Sequence, residues 1–212
     1  MKSCCESSCA VDALHDRQRG TLLRVLWINA IMFAVIAAAA VYGKSTALLS
    51  DSLDNLGDAL TYALSLFAVT RGNATKARVA LFKGGLIFVA ASAVMAQVVY
   101  RLFSPALPSY EIMSVFSITG LLANGLCLFL LWRHRTDDIN MSSVYECSRN
   151  DIASNLSVLV AAAGVWAFSA AWPDILVGTL LAIMLLRSSF RVVRGALSEL
   201  SQERAAMTPD PG

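Results

Sequence analysis

Charged side chains are scarce in this chain of 212 residues: Asp, Glu, Lys and Arg together make up 15%, against about 25% in soluble domains. Hydrophobic residues reach 57% where about 45–50% is usual, and the mean hydropathy is +0.61. That balance excludes a disordered chain and a soluble enzyme. The formal net charge of +2 is too small for a nucleic-acid surface, so no nucleic-acid partner is expected. Residues 1–20 are polar and lack the apolar core of a signal peptide, so no cleavage is expected. No nucleotide-binding loop occurs, which argues against a pump. Histidine is nearly absent, with two in the chain, and no His-rich di-metal pattern or Ser/His pair points to a membrane enzyme.

What is present is apolar length. A bilayer core about 30 Å thick takes roughly 20 apolar residues per helix. Six such runs can be cut: Leu22–Tyr42, Ala47–Val69, Val79–Tyr100, Ile112–Trp132, Ser142–Phe168 and Ile175–Val193. The sequence therefore predicts an all-α integral membrane protein of six transmembrane helices. A head over residues 1–20 precedes a membrane domain over 21–195, and a short polar tail over 196–212 is expected to fray. Orientation follows from where Lys and Arg fall. Of the 17, fourteen lie on one side: in the head with Arg24, in the second connection (Arg71, Lys76, Arg78, Lys83), in the fourth (Arg133, Arg135) and from Arg187 onward. Lys44 and Arg101 lie on the other side, and Arg149 falls inside the fifth run. Both termini are expected in the cytoplasm, with the chain multi-pass in a bacterial-type inner (plasma) membrane.

Ionisable groups at membrane depth are costly and mark functional sites by default. The second run reads Leu49-Ser50-Asp51-Ser52-Leu53-Asp54-Asn55-Leu56-Gly57-Asp58. At about 100° per residue, Asp51, Asp54, Asn55 and Asp58 form one polar stripe on an apolar helix. Three carboxylates on one stripe make sense if a cation sits there; polar glue between helices needs only one or two Ser, Thr or Asn. The fifth run carries Cys147 and Asp151 at i and i+4, flanked by Asn150, Ser154 and Asn155. Glu146 and Arg149 point elsewhere and read as an intrahelical ion pair. A rise of about 1.5 Å per residue places Asp54, Asp58 and Asp151 near the midplane. Two side chains from each helix, Asp54, Asp58, Cys147 and Asp151, then make the tetrahedral cage that zinc-like ions prefer. Asp51, Asn55, Asn150 and Asn155 are possible accessory groups.

These residues resemble the cation diffusion facilitator (cation efflux) family of divalent-metal transporters. The resemblance covers roughly residues 20–195 and rests on Ser45-Thr46-Ala47-Leu48-Leu49-Ser50-Asp51-Ser52-Leu53 running into Asp54 and Asp58, and on Asn150-Asp151. It implies a transport site of a His-or-Asp-x-x-x-Asp pair on each of the second and fifth helices, which names Asp54, Asp58, Asp151 and, in the fourth place, Cys147. It also implies export from the cytoplasm and a homodimer. Cys147 is a departure, since the family more often has His or Asp there. Two further departures are expected: a short form without the usual C-terminal cytoplasmic domain, and no His-rich loop between helices four and five. His134 reads as a solvated residue.

Cys4, Cys5 and Cys9 form a cluster in the head that could capture a soft metal with Asp12 or His15 nearby. Cys127 reads as a packing residue, and Asn29 and Asn124 equally as interhelical hydrogen-bonders or as parts of the pathway. Three ionised aspartates and a thiolate outweigh one divalent ion, and an empty buried site cannot stay fully ionised. Metal binding should therefore displace protons. The function expected is proton-coupled efflux of zinc, cadmium or cobalt, zinc first, by a secondary transporter with no resident cofactor. Its partners are the metal ion, protons and the lipid bilayer. A metal channel or importer could use the same cage, and a membrane metal sensor or scaffold would bind metal without moving it.

Overall fold

A computed structural model of the chain describes residues 4–68, 73–132 and 139–207. Within them, the side chains of residues 4–18, 65, 67–68, 73–76, 79, 139–149 and 202–207 fall outside the description. The described residues form six helices and no strand: α1 (Cys4–Gly43), α2 (Thr46–Ala68), α3 (Asn73–Phe103), α4 (Tyr110–Trp132), α5 (Ile139–Phe168) and α6 (Trp172–Met207). The all-α expectation holds.

Five helices contain a stretch long and apolar enough to cross a membrane: Arg19–Gly43, Ala80–Phe103, Tyr110–Trp132, Asn150–Phe168 and Trp172–Ser201. The sixth, α2, has the length, at 23 residues or about 35 Å, but its aspartates take it out of that class. Its position resolves the conflict. α2 packs against all five other helices, so the apolar helices surround the carboxylates. Their outward faces carry Trp27, Phe82, Leu122, Phe129, Val160 and Trp166, all well exposed, as a bundle in lipid requires.

Two helices outrun their apolar runs. α1 begins at Cys4, so the polar head continues the helix with no break at residue 20. α6 continues to Met207 instead of fraying after Arg194. The α6 extension is rich in Ala, Leu, Glu, Gln and Arg, which favour helix, and the α1 extension has no proline to stop a helix. No proline interrupts α6 between Pro173 and Pro209.

The joint from α1 to α2 takes a single turn. Lys44 adopts a left-handed backbone (φ 53°), and the Ser45 amide donates back to the Ala40 carbonyl at 3.0 Å, a helix-terminating pattern. Ser45 then caps α2, its Oγ accepting from the Leu48 amide at 3.0 Å. A second cap comes from another helix. Asp174, near the start of α6 and 2% exposed, accepts from the Thr46 amide (2.8 Å), the Ala47 amide (3.1 Å), Thr46 Oγ1 (2.8 Å) and Ser45 Oγ (2.5 Å). A carboxylate there satisfies donors that a helix N-terminus leaves open and meets its positive dipole end. Gly178 lets α6 come close: a Cβ there would lie 2.8 Å from the Thr46 backbone carbon, and Ser50 Oγ donates to the Gly178 carbonyl at 3.0 Å. Nothing in the hydrophobic pattern singled out Asp174. The Ser45-Thr46-Ala47 run, part of the family resemblance, forms this joint.

Asp174→Ala should therefore strand four buried donors and destabilise the fold by about 2–4 kcal/mol. Thermal unfolding in detergent checks this, with Asp174→Asn expected to recover part of the loss. An unchanged midpoint for the Ala variant would contradict the assignment.

Candidate metal site

The stripe on α2 faces inward because every other direction would put it into lipid. Asp51 is wholly buried, Asn55 and Asp58 are 2% and 8% exposed, and Asp54 is half-buried. On α5, Asp151 and Asn155 are buried at 7% and 1%. The carboxyl groups of Asp58 and Asp151 lie within hydrogen-bonding reach of each other. Two carboxyls approach that closely only with something positive between them, a shared proton or a cation. Ser154, one turn along α5, reaches Asp54 in the same way. Tyr62, one turn beyond Asp58, donates its hydroxyl to Asp58 Oδ2 at 2.7 Å.

The same construction appears on both helices. Asn55 Nδ2 donates to the Asp51 carbonyl at 3.1 Å, and Asn155 Nδ2 to the Asp151 carbonyl at 2.9 Å. Each amide uses its N–H on its own helix and leaves its oxygen over. Among the buried side-chain oxygens with no hydrogen-bond partner are both of Asp51, Asp151 Oδ2, and the Oδ1 atoms of Asn29, Asn55, Asn124 and Asn155. All are buried acceptors with nothing to accept, and Asn124 Nδ2 is a buried donor in the same condition. Asn155 also presses on Gly120 of α4, where any Cβ would strike its Oδ1.

The expected cage is only partly gathered. Among the described residues, no three His, Cys, Asp or Glu side chains converge in ligand geometry. Asp58 and Asp151 meet, with Asp54 one turn along α2. The side chain of Cys147 lies outside the described residues, as do those of Cys4, Cys5 and Cys9; His134 falls outside them altogether. Asn150 is exposed and does not join the buried oxygen set.

Three residues given another role, or none, by the sequence lie beside the site. Cys127 on α4 is wholly buried, 3.7 Å from Asn29 Nδ2, and within electrostatic reach of Asp58 and Asp151. Tyr62 could have been found by its i+4 spacing from Asp58. Lys83, counted above as a boundary charge, is half-buried on α3, hydrogen-bonded to Thr61 and within electrostatic reach of Asp58. A cavity of about 130 Å³ between α2, α3 and α6 holds Lys83 together with Asp54, Asp58 and Thr61.

Residues 22–201 match the family profile of the cation efflux transmembrane domain. The chain belongs to the cation efflux family. It is similar to the cadmium, cobalt and zinc/H(+)-K(+) antiporter of Bacillus subtilis, with 23% identity over 89% of this chain and 66% of that protein. It is also similar to the metal cation efflux system protein CzcD of Cupriavidus metallidurans, with 24% identity over 88% of this chain and 64% of that protein. The chain thus spans about two thirds of the length of these relatives. Family membership and the apolar helices make it a multi-pass membrane protein.

Facing carboxyls destabilise an empty cation efflux domain once the proton shared between them is lost, because two ionised carboxylates then repel. Asp151→Asn removes one of them and should raise the unfolding midpoint of the metal-free protein in alkaline buffer, where that proton is gone. Each kcal/mol of relieved repulsion in a chain of this size moves the midpoint by about 2–4 °C. A thermal-shift comparison checks the sign, and a lower midpoint would show that the two groups attract as built.

Proposed function

We propose that the chain exports divalent heavy-metal cations of the zinc, cadmium and cobalt class from the cytoplasm, in exchange for protons. The observation that carries the reading is the close approach of Asp58 and Asp151 inside the bundle, on two different helices. In the cation-free protein a proton bridges them; a divalent ion replaces it, so uptake releases protons and discharge recaptures them. The relatives' names support the metal class, and the Bacillus protein's name includes protons and potassium among its exchanged ions. The protein on this reading is a secondary transporter and not an enzyme, and the metal is cargo, with no resident cofactor. Asp54, Asp58 and Asp151 supply oxygen ligands, with Cys147 as the fourth. A homodimer is the assembly carried over from the family resemblance.

Flux into sealed vesicles tests the reading. Ala at Asp54, Asp58 or Asp151 should each lower metal flux by more than the roughly tenfold that even outer-shell losses cost, with membrane insertion intact. Near-normal flux in all three variants sinks the assignment. Flux indifferent to a proton gradient would instead favour a channel, and binding without flux a sensor.

The fourth ligand has its own consequence. A thiolate suits soft and borderline ions and is a poor ligand for hard cations, which favour six or more oxygens. Cys147→Asp should relax selectivity towards manganese, whereas Cys147→His should retain zinc. Cadmium–manganese competition in the wild type and both variants measures it, and one unchanged preference throughout would place Cys147 outside the coordination shell.

A further inference from the structure

Resting on that reading of the site, we propose that Lys83 is a tethered cation that competes with the transported ion for the carboxylates of α2, and thereby speeds the ion's release. Lys83 lies one turn inside the apolar stretch that begins at Ala80. A lysine at such a depth ordinarily stretches its stem towards the nearer membrane surface. Here the ammonium turns inward and is hydrogen-bonded to Thr61 Oγ1. Thr61 is prepared for it: its own hydroxyl donates to the Gly57 carbonyl at 2.7 Å, which leaves its lone pairs for a donor.

The backbone next to Lys83 has no room to withdraw. At Gly84 a Cβ would lie 2.8 Å from Val193 Cγ2 and 3.2 Å from Val192 Cγ1 of α6, so α3 is held against α6 at this level. The side chain shares the 130 Å³ cavity with Asp54, Asp58 and Thr61, and Ser188 and Ser189 of α6 line the same space. One flexible positive charge thus stands on the α3 side of two carboxylates whose α5 side meets Asp151 and Ser154.

Such a charge acts twice. In the cation-free protein it offsets part of the negative charge of Asp54 and Asp58 without leaving the molecule. When a divalent ion arrives, the ammonium is a like charge at short range in a poorly screened interior, so the ion is held less tightly. A carrier gains from this, because binding must be firm enough to load and weak enough to let go.

The experiment uses the full chain in nanodiscs, with cadmium ions as the probe, titrated calorimetrically and chased in stopped flow. Lys83→Gln should tighten cadmium binding about tenfold and slow its release correspondingly. Thr61→Val keeps the ammonium but removes the hydrogen bond that holds it at Thr61, so the charge shifts towards Asp58 and binding should weaken severalfold. Opposite signs in the two variants support the proposal. An unchanged or weakened affinity in Lys83→Gln overturns it. Should Lys83→Gln fail to insert, Thr61→Val decides alone, and an unchanged affinity there overturns it equally. A wild-type chain that binds no cadmium removes the transport reading, and this inference with it.

Discussion

Placing an ionised side chain in hydrocarbon costs about 2.5 kcal/mol or more, and α2 carries three aspartates within eight residues. A helix of that composition crosses a membrane only behind protein. The other five helices provide that protein, each touching α2 and each turning bulky apolar residues outward. α1 reaches α2 through the two residues Lys44 and Ser45, and α6 reaches it through Asp174 and Gly178. The remaining contacts bring α3, with Lys83, to one side of the stripe and α5, with Asp151, to another. The site is therefore a consequence of how the fold pays for α2.

The hydrophobic pattern made six helices and their order legible, because length in apolar residues is what a bilayer reads. It also gave the stripe, since three carboxylates on one helical face exceed the one or two polar residues that glue between helices needs. The polar ends were less legible. The head and tail were separated from the spans by hydropathy, yet helix propensity carries α1 back to Cys4 and α6 on to Met207. Hydropathy says where lipid begins and is silent about where a helix stops.

Contacts between helices were the part the sequence hid. Lys83 counts as a positive charge near a boundary in any tally by loops, and only the packing of α3 on α6 turns it towards Asp58. Cys127 has the burial of a packing residue and reads as one, until α4 places it beside Asp58 and Asp151. Asp174 sits at the edge of an apolar run, where a lone acid attracts no notice. Each depends on a neighbour more than a hundred residues away or on another helix's face, and periodicity along one helix carries no such information.

Asp174 and Asp51 are the informative comparison. Both are aspartates buried to within 2% of completely, both belong to the α2–α6 region of the same bundle, and they are treated oppositely. Asp174 receives two amide and two hydroxyl donors, so its carboxylate is met on every side. Asp51 receives no donor on either oxygen, and Asp151 Oδ2, Asn55 Oδ1 and Asn155 Oδ1 share that condition. Native interiors seldom leave buried acceptors unmet, since each costs free energy that a nearby Ser or Thr would recover. Ser50 and Ser52 stand beside Asp51 on α2, but their hydroxyls go to the Gly178 and Leu49 carbonyls. Donors are thus available to this fold and go to the α2–α6 joint and to the α2 backbone instead. Deeper in, the oxygens are kept open. Acceptors without donors are what the proposed exchange of a cation for protons requires, and a filled hydrogen-bond network at that level would leave no oxygen for the ion.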